Sequence, residues 1–104
     1  IYKRNKASVN IEFEYNMDEN GIHFKKHNIT EEEIREFILK TVLFEYQRED
    51  KSIVGYGKLK TSGKYLKVIY RKSKTKKVIN YFIVTAYELE DNRIIDFINN
   101  YIDY

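Results

Sequence analysis

The 104-residue chain has no cysteine, no proline and only four glycines. Without cysteine it can form neither disulfide bonds nor thiolate zinc sites, and this composition is typical of a protein in a reducing cytoplasm. No stretch approaches the roughly 18 consecutive apolar residues of a membrane-spanning helix. Because the chain has only two histidines, it also offers little material for a metal site. We therefore expect no metal, no cofactor and no membrane partner.

Acidic residues are missing from one long segment of the chain. The 37 positions between Asp50 and Glu88 carry ten basic residues and no acidic one. The remaining positions hold nine basic and 16 acidic residues, a net charge of −7, whereas the whole chain has +3. A segment so rich in cations predicts a partner that carries phosphates, with RNA as the first candidate.

Apolar periodicity predicts the elements of a single domain over residues 1–104. Ile11, Phe13 and Tyr15 alternate with glutamates, as in a strand with one buried face. Thr30 and Glu33 have the spacing of a capping box, which predicts a helix over 31–40. Further strands are predicted over 42–47, 53–59, 65–72 and 78–87, the last of them at the centre of the sheet.

A closing helix follows, capped by Asp91 or Asn92. Its apolar stripe is predicted to lie in the core and consists of Ile94, Ile95, Phe97, Ile98 and Ile102. The fold class is therefore α+β: a small curved antiparallel sheet of about four strands with helices packed on one side.

The cationic segment supplies the candidate nucleic-acid-binding residues. Lysines in strands and loops are suited to follow a phosphate backbone, and tyrosines are suited to stack on bases. The candidate cations are Lys58, Lys60, Lys64, Lys67, Lys72 and Lys74, and the candidate stacking residues are Tyr65, Tyr70 and Tyr81. A structural alternative is that lysine-rich hairpins only keep edge strands soluble.

Histidine beside lysine gives a second chemical signal, at Lys26-His27. A histidine can take the proton of an RNA 2′-hydroxyl, whose oxygen then attacks the adjacent phosphorus while the 5′-oxygen leaves. Nearby cations stabilise the pentacovalent transition state, and no nucleophilic side chain is required. The alternative is that these residues are ordinary members of a polar connector.

The order of the segments resembles the BrnT-type toxins of bacterial toxin–antitoxin pairs. Lys26-His27 followed by Thr30 resembles the family's entry into its first helix, and 65–70 and 83–87 resemble its later strands. The resemblance implies the RelE-like fold, metal-independent ribonuclease activity that blocks translation, and an antitoxin that neutralises it. It also implies a catalytic set of His27, Lys26, Arg71, Thr85 and Tyr87, with Tyr87 standing where the family has arginine.

The leading hypothesis is therefore a RelE/BrnT-like ribonuclease toxin domain of a bacterial cell, bound by a cognate antitoxin or immunity protein. We expect a cytoplasmic location, or delivery into a target cell's cytoplasm if the chain is the C-terminal domain of a secreted effector. One rival is a non-catalytic nucleic-acid-binding module or a phage-type inhibitor that uses the basic sheet. Another is an interaction protein whose acidic helices bind the partner.

Overall fold

The computed structural model describes residues 8–13, 29–75 and 77–103. Five strands and two helices follow one another in these ranges, and a π-helical turn, Phe37–Thr41, continues the first helix. In chain order the elements are β1 (Ser8–Phe13), α1 (Glu31–Glu36), β2 (Val42–Gln47), β3 (Ile53–Lys58), β4 (Tyr65–Lys74), β5 (Val78–Glu88) and α2 (Asn92–Asp103).

The strands form one sheet in the order β1-β5-β4-β3-β2, so the α+β class is confirmed. The sheet has five strands rather than about four, and β1 pairs with β5 in parallel, whereas the other pairs are antiparallel. The central strand is β4, with β5 beside it, so the prediction that the strand over 78–87 lies at the centre is wrong. The two edges are β1 and β2.

Helix α1 begins as its sequence predicts. The Glu33 backbone N–H donates to the Thr30 hydroxyl at 3.1 Å, and the Thr30 N–H donates to the Glu33 carboxylate at 2.9 Å. Three glutamates in the first turn complement the positive end of the helix dipole. The π-helical turn extends the helical segment to Thr41 and buries Phe37 and Ile38 against the sheet.

Two glycines of β3 let neighbouring groups approach the sheet closely. A Cβ atom at Gly57 would lie 2.1 Å from the carbonyl oxygen of Thr41, at the end of the π-helical turn. A Cβ at Gly55 would lie 3.1 Å from the buried ring of Tyr70, which reaches across this position to donate its hydroxyl hydrogen bond to Glu45 on β2. The glycines thus shape the surface on which α1 and Tyr70 pack.

The two helices lie on opposite faces of the sheet, which differs from the expectation of helices on one side. Leu66, Val68 and Tyr70 pack with Ile34 and Phe37 in one core, and we name this side the helix-1 face. Tyr65 alternates with these residues, and its hydroxyl donates to Asn99 of α2 at 2.7 Å. Its side is the helix-2 face. The sequence pattern contained no signal for this choice because an amphipathic helix can cover either face of a sheet.

Helix α2 begins after Asp91, whose carboxylate accepts from the Arg93 N–H at 2.9 Å. Ile98 is fully buried against the helix-2 face, and Ile94 and Ile95 are half-buried. The prediction that the whole apolar stripe lies in the core is wrong for Phe97 and Ile102, which are 60% and 47% exposed. The helix therefore keeps part of its apolar surface in contact with water.

We predict that Gly57→Ala strongly destabilises the domain. The new methyl group would collide with a backbone carbonyl, which cannot move away as a flexible side chain can. Overpacking of this kind costs about 1–3 kcal/mol of unfolding free energy, and a backbone clash lies at the upper end. Urea unfolding monitored by circular dichroism measures the change.

Gly63→Asn is the control for this prediction. Gly63 has φ +75°, a conformation that asparagine tolerates, and no neighbouring heavy atom lies within 4 Å of the place that a Cβ would take. An equal loss of stability in the two variants would contradict the proposed role of the Gly57 contact.

Candidate nucleic-acid interface

A β-bulge in β5 brings three of the predicted catalytic residues onto one face. Ile83 lies in the helix-1 core, so strict alternation would direct Thr85 and Tyr87 to the same side. The register shifts between Ile69 and Tyr70, which pair with Thr85 and Ile83 and leave Val84 as the extra residue. Beyond the bulge, Thr85 and Tyr87 lie on the helix-2 face, as Arg71 does.

Arg71 lies at an open cleft near the end of the sheet. The cleft has a volume of about 500 Å³, and its described lining includes three basic residues, Lys51, Arg71 and Lys72, beside the carboxylate of Glu12. Phe82, the cross-strand neighbour of Arg71, forms part of its apolar wall. Cations next to an apolar surface are suited to hold a phosphate against a stacked base.

Thr85 differs from Arg71 in its access to solvent. Its side chain is 6% exposed, and its hydroxyl is buried without a hydrogen-bond partner among the described residues. Tyr87 is half-buried and pairs across the sheet with Lys67. Along β4, Lys67 and Arg71 are four residues apart, a distance of about 13 Å.

The other predicted catalytic residues, Lys26 and His27, lie outside the described residues. The geometry of the site is therefore that of Arg71, Thr85 and Tyr87 together with Lys67. Within 8–13, 29–75 and 77–103, no group of three or more His, Asp or Glu side chains has a spacing that could hold a metal ion. No described helix has the length and apolar character needed to cross a membrane.

The predicted phosphate-binding lysines are divided among separate places. Lys58 and Lys67 lie on the helix-2 face, whereas Lys72 and Lys74 lie on the opposite face near the far end of β4. Lys60 and Lys64 belong to the β3–β4 loop, and β4 separates this loop from Lys74 by about 30 Å. The cationic segment of the sequence thus forms two clusters rather than one continuous surface.

Acidic residues of α1 compensate part of the loop cluster. The Lys64 ammonium is 3.1 Å from one carboxylate oxygen of Glu33 and 3.2 Å from the other. Glu36 accepts hydrogen bonds from the Lys60 N–H at 2.8 Å and from the Thr61 hydroxyl at 2.5 Å. The Thr61 hydroxyl is the main cause that lowers the pKa of Glu36. The segment that contains no acidic residue in the sequence therefore lies beside acidic residues in the folded domain.

The tyrosines predicted to stack on bases are not the exposed ones. Tyr70 is buried, and burial together with its hydrogen bond to Glu45 raises its pKa. Tyr65 and Tyr81 are half-buried, with the ammonium groups of Lys58 and Lys72 at 5.1 and 5.5 Å from their ring centroids. Among the described residues, the exposed rings are instead Tyr46, Phe97 and Tyr101. Phe97 and Tyr101 are four residues apart on α2, a spacing that could have indicated a shared aromatic surface.

Comparisons of the chain with protein-family models, with curated proteins and with solved structures give no match. The resemblance to BrnT-type toxins stays a prediction that depends on the short segments quoted above. The site consists of one arginine, one lysine and one tyrosine on the helix-2 face, beside a threonine whose hydroxyl is buried.

We predict that Glu33→Gln removes a pH-dependent contribution to stability. Partial burial acts to raise the pKa of Glu33, but hydrogen bonds from the Thr30 N–H and the Lys64 ammonium outweigh it and hold that pKa below its ordinary value. A lowered folded-state pKa stabilises the protein above the unfolded-state pKa, and this stabilisation is lost as the pH falls through the folded-state value.

The measurement is the unfolding free energy of wild type and Glu33→Gln between pH 7 and pH 3. The wild-type advantage should be constant above about pH 5 and should shrink below about pH 4.5. Glu32→Gln, at an exposed position of the same turn, is the control. A wild-type advantage that does not change with pH would contradict the role assigned to the Glu33 carboxylate.

We predict that Thr85→Val stabilises the domain. Valine keeps the shape of threonine but removes a buried hydroxyl that has no partner among the described residues, a group whose burial costs about 1–3 kcal/mol. Thermal and urea unfolding should both shift in favour of the variant. A destabilised variant would show that this hydroxyl has a partner in the folded protein.

Proposed function

We propose that this domain binds RNA on its helix-2 face and cleaves it by acid–base chemistry, as a ribonuclease toxin that a cognate antitoxin or immunity protein neutralises. The observation that carries the proposal is the β5 bulge, since it places Thr85 and Tyr87 on the face of Arg71 and Lys67. Bulges are common next to active sites, where they redirect side chains.

The proposed roles follow from the chemistry of each group. His27 takes the proton from the ribose 2′-hydroxyl, and the 2′-oxygen attacks phosphorus to form a 2′,3′-cyclic phosphate. The P–O5′ bond breaks, and the proton that His27 accepted is returned to the leaving 5′-oxygen. Arg71, assisted by Lys26, stabilises the negative charge that develops on the phosphate oxygens, and Tyr87 positions the neighbouring nucleotide. Lys67 holds the backbone a few nucleotides away.

A non-catalytic RNA-binding module is the second candidate, and the burial of Thr85 favours it. A hydroxyl without access to solvent cannot touch RNA in this conformation. Arg71 and Lys67 would still bind phosphates, and binding would need no histidine. The two candidates therefore differ in the effect of removing His27, which should abolish cleavage but leave binding unchanged.

The test is incubation of the purified domain with total bacterial RNA in EDTA, followed by mapping of new ends. We expect 2′,3′-cyclic phosphates from the wild type, and a rate at least about 100-fold lower for His27→Ala, the usual range for loss of a general base. Arg71→Ala should also lower the rate strongly. Lys77→Ala removes a cation from an exposed position and is the control.

Each outcome distinguishes the candidates. If the RNA stays intact but its mobility on a gel shifts, the hypothesis that the domain cleaves free RNA is wrong, and the binding module is favoured. Cleavage that is unchanged in both His27→Ala and Arg71→Ala would show that the activity does not come from this site. If the wild type neither binds nor cleaves RNA, both candidates are wrong.

A further inference from the structure

Exposed aromatic rings line the groove between the edge strand β2 and helix α2. The ring of Phe44 lies 4.9 Å from that of Phe97 and 4.8 Å from that of Tyr101, measured between centroids. Tyr46 stacks on Tyr56 at 6.4 Å further along. Phe97, Tyr101 and Tyr46 are 60%, 56% and 52% exposed. Rings that are held in place by neighbours yet open to water are suited to stack on a ligand.

Lysines surround a cleft at one end of this groove. The cleft has a volume of about 670 Å³, and its lining contains the ammonium-bearing side chains of Lys40, Lys58 and Lys60 but no carboxylate. Tyr101 forms part of the same lining. Glu36 accepts a hydrogen bond from the backbone N–H of Lys60 and attracts Lys40, but among the described residues no carboxylate makes an ion pair with the ammonium groups of these three lysines. The cleft is thus a place where positive charge meets an exposed aromatic ring.

The other end of the groove is mostly apolar, and its charged lining residues are Glu45, Asp91 and Arg93, so it carries no excess of positive charge. A second cleft of about 740 Å³ is lined by Tyr46, Tyr56 and Phe97, and its Asp91 and Arg93 pair with each other at 3.5 Å. Phe97 and Tyr101, four residues apart on α2, connect the two clefts. Ring surfaces therefore run the length of the groove, and the positive charge is concentrated at the end with the lysines.

We propose that this groove binds unpaired RNA, with bases stacked on Tyr46, Phe97 and Tyr101 and phosphates held by the three lysines of the cleft. Charge complementarity selects a polyanion, and exposed rings select a strand whose bases are not already paired. The inference rests on the proposed function, to which it adds a substrate class. The groove is also separate from the Arg71 cleft. Lys58 pairs with Tyr65, and Tyr65 lies six residues from Arg71 along β4.

The experiment measures binding to a fluorescent 2′-O-methyl oligouridylate by anisotropy, at several salt concentrations. This probe lacks the attacking hydroxyl, so binding is measured without cleavage. A duplex RNA of the same length is the second probe. The test variants are Lys40→Gln/Lys60→Gln, at two exposed positions, and Tyr101→Leu. The control double variant Arg48→Gln/Lys77→Gln removes two exposed charges elsewhere.

We expect the lysine double variant to weaken binding of the single strand and to reduce the slope of log affinity against log salt by about 1.4, the value for two phosphate contacts with a single strand. Tyr101→Leu should weaken the same binding roughly tenfold, within the range for one stacked base, and leave the salt slope unchanged. Binding of the duplex should change little, as should binding by the control variant.

Three results would overturn the inference. If the wild type binds the single strand and the lysine double variant binds it with the same affinity and salt slope, the groove is rejected. The proposed function would stay intact. Equal losses of affinity in the test and control variants, or for duplex and single strand, would show that binding depends only on the overall positive charge of the protein. A wild type that binds neither probe would overturn the groove and the proposed function together. Thermal unfolding of each variant separates these results from loss of fold.

Discussion

One backbone contact determines how closely the first helix can approach the sheet. The Thr41 carbonyl lies against Gly57 at a distance that leaves no room for a side chain. This contact holds the end of the π-helical turn against β3. Phe37 is therefore buried, and Glu33 and Glu36 reach the loop between β3 and β4. A larger residue at position 57 would separate the helix from the core and from the loop at once.

A second constraint acts on β5, where the bulge reverses the alternation of side chains. Before the bulge, Ile83 belongs to the helix-1 core, and after it Ala86 occupies that side. Thr85 and Tyr87 therefore lie on the side of Arg71, where Thr85 is buried and Tyr87 is partly exposed. The bulge has two effects: the core stays continuous, and Tyr87 reaches the opposite surface. The proposed catalytic geometry depends on this one additional residue.

Electrostatics in the folded domain differ from the charge pattern along the chain. Ten cations follow one another without an acid in the sequence, but Glu33 neutralises Lys64, and β4 separates the remaining lysines into two clusters. Near the β2 edge the positive charge lies beside an exposed ring, and Glu36 offsets only part of it. The two proposed RNA surfaces arise from this division, one around Arg71 and one in the aromatic groove.

The sequence by itself determined the elements and the class of the fold. The capping box of Thr30 and Glu33 and the alternating strands have local causes, because a turn of helix or a strand face involves residues close in the chain. Only the tertiary structure decided which side of the sheet α2 covers, which acids meet Lys64 and which rings stay exposed. Those outcomes depend on the Val84 bulge, the contact at Gly57 and strand order, and no local pattern encodes contacts between residues distant in the chain.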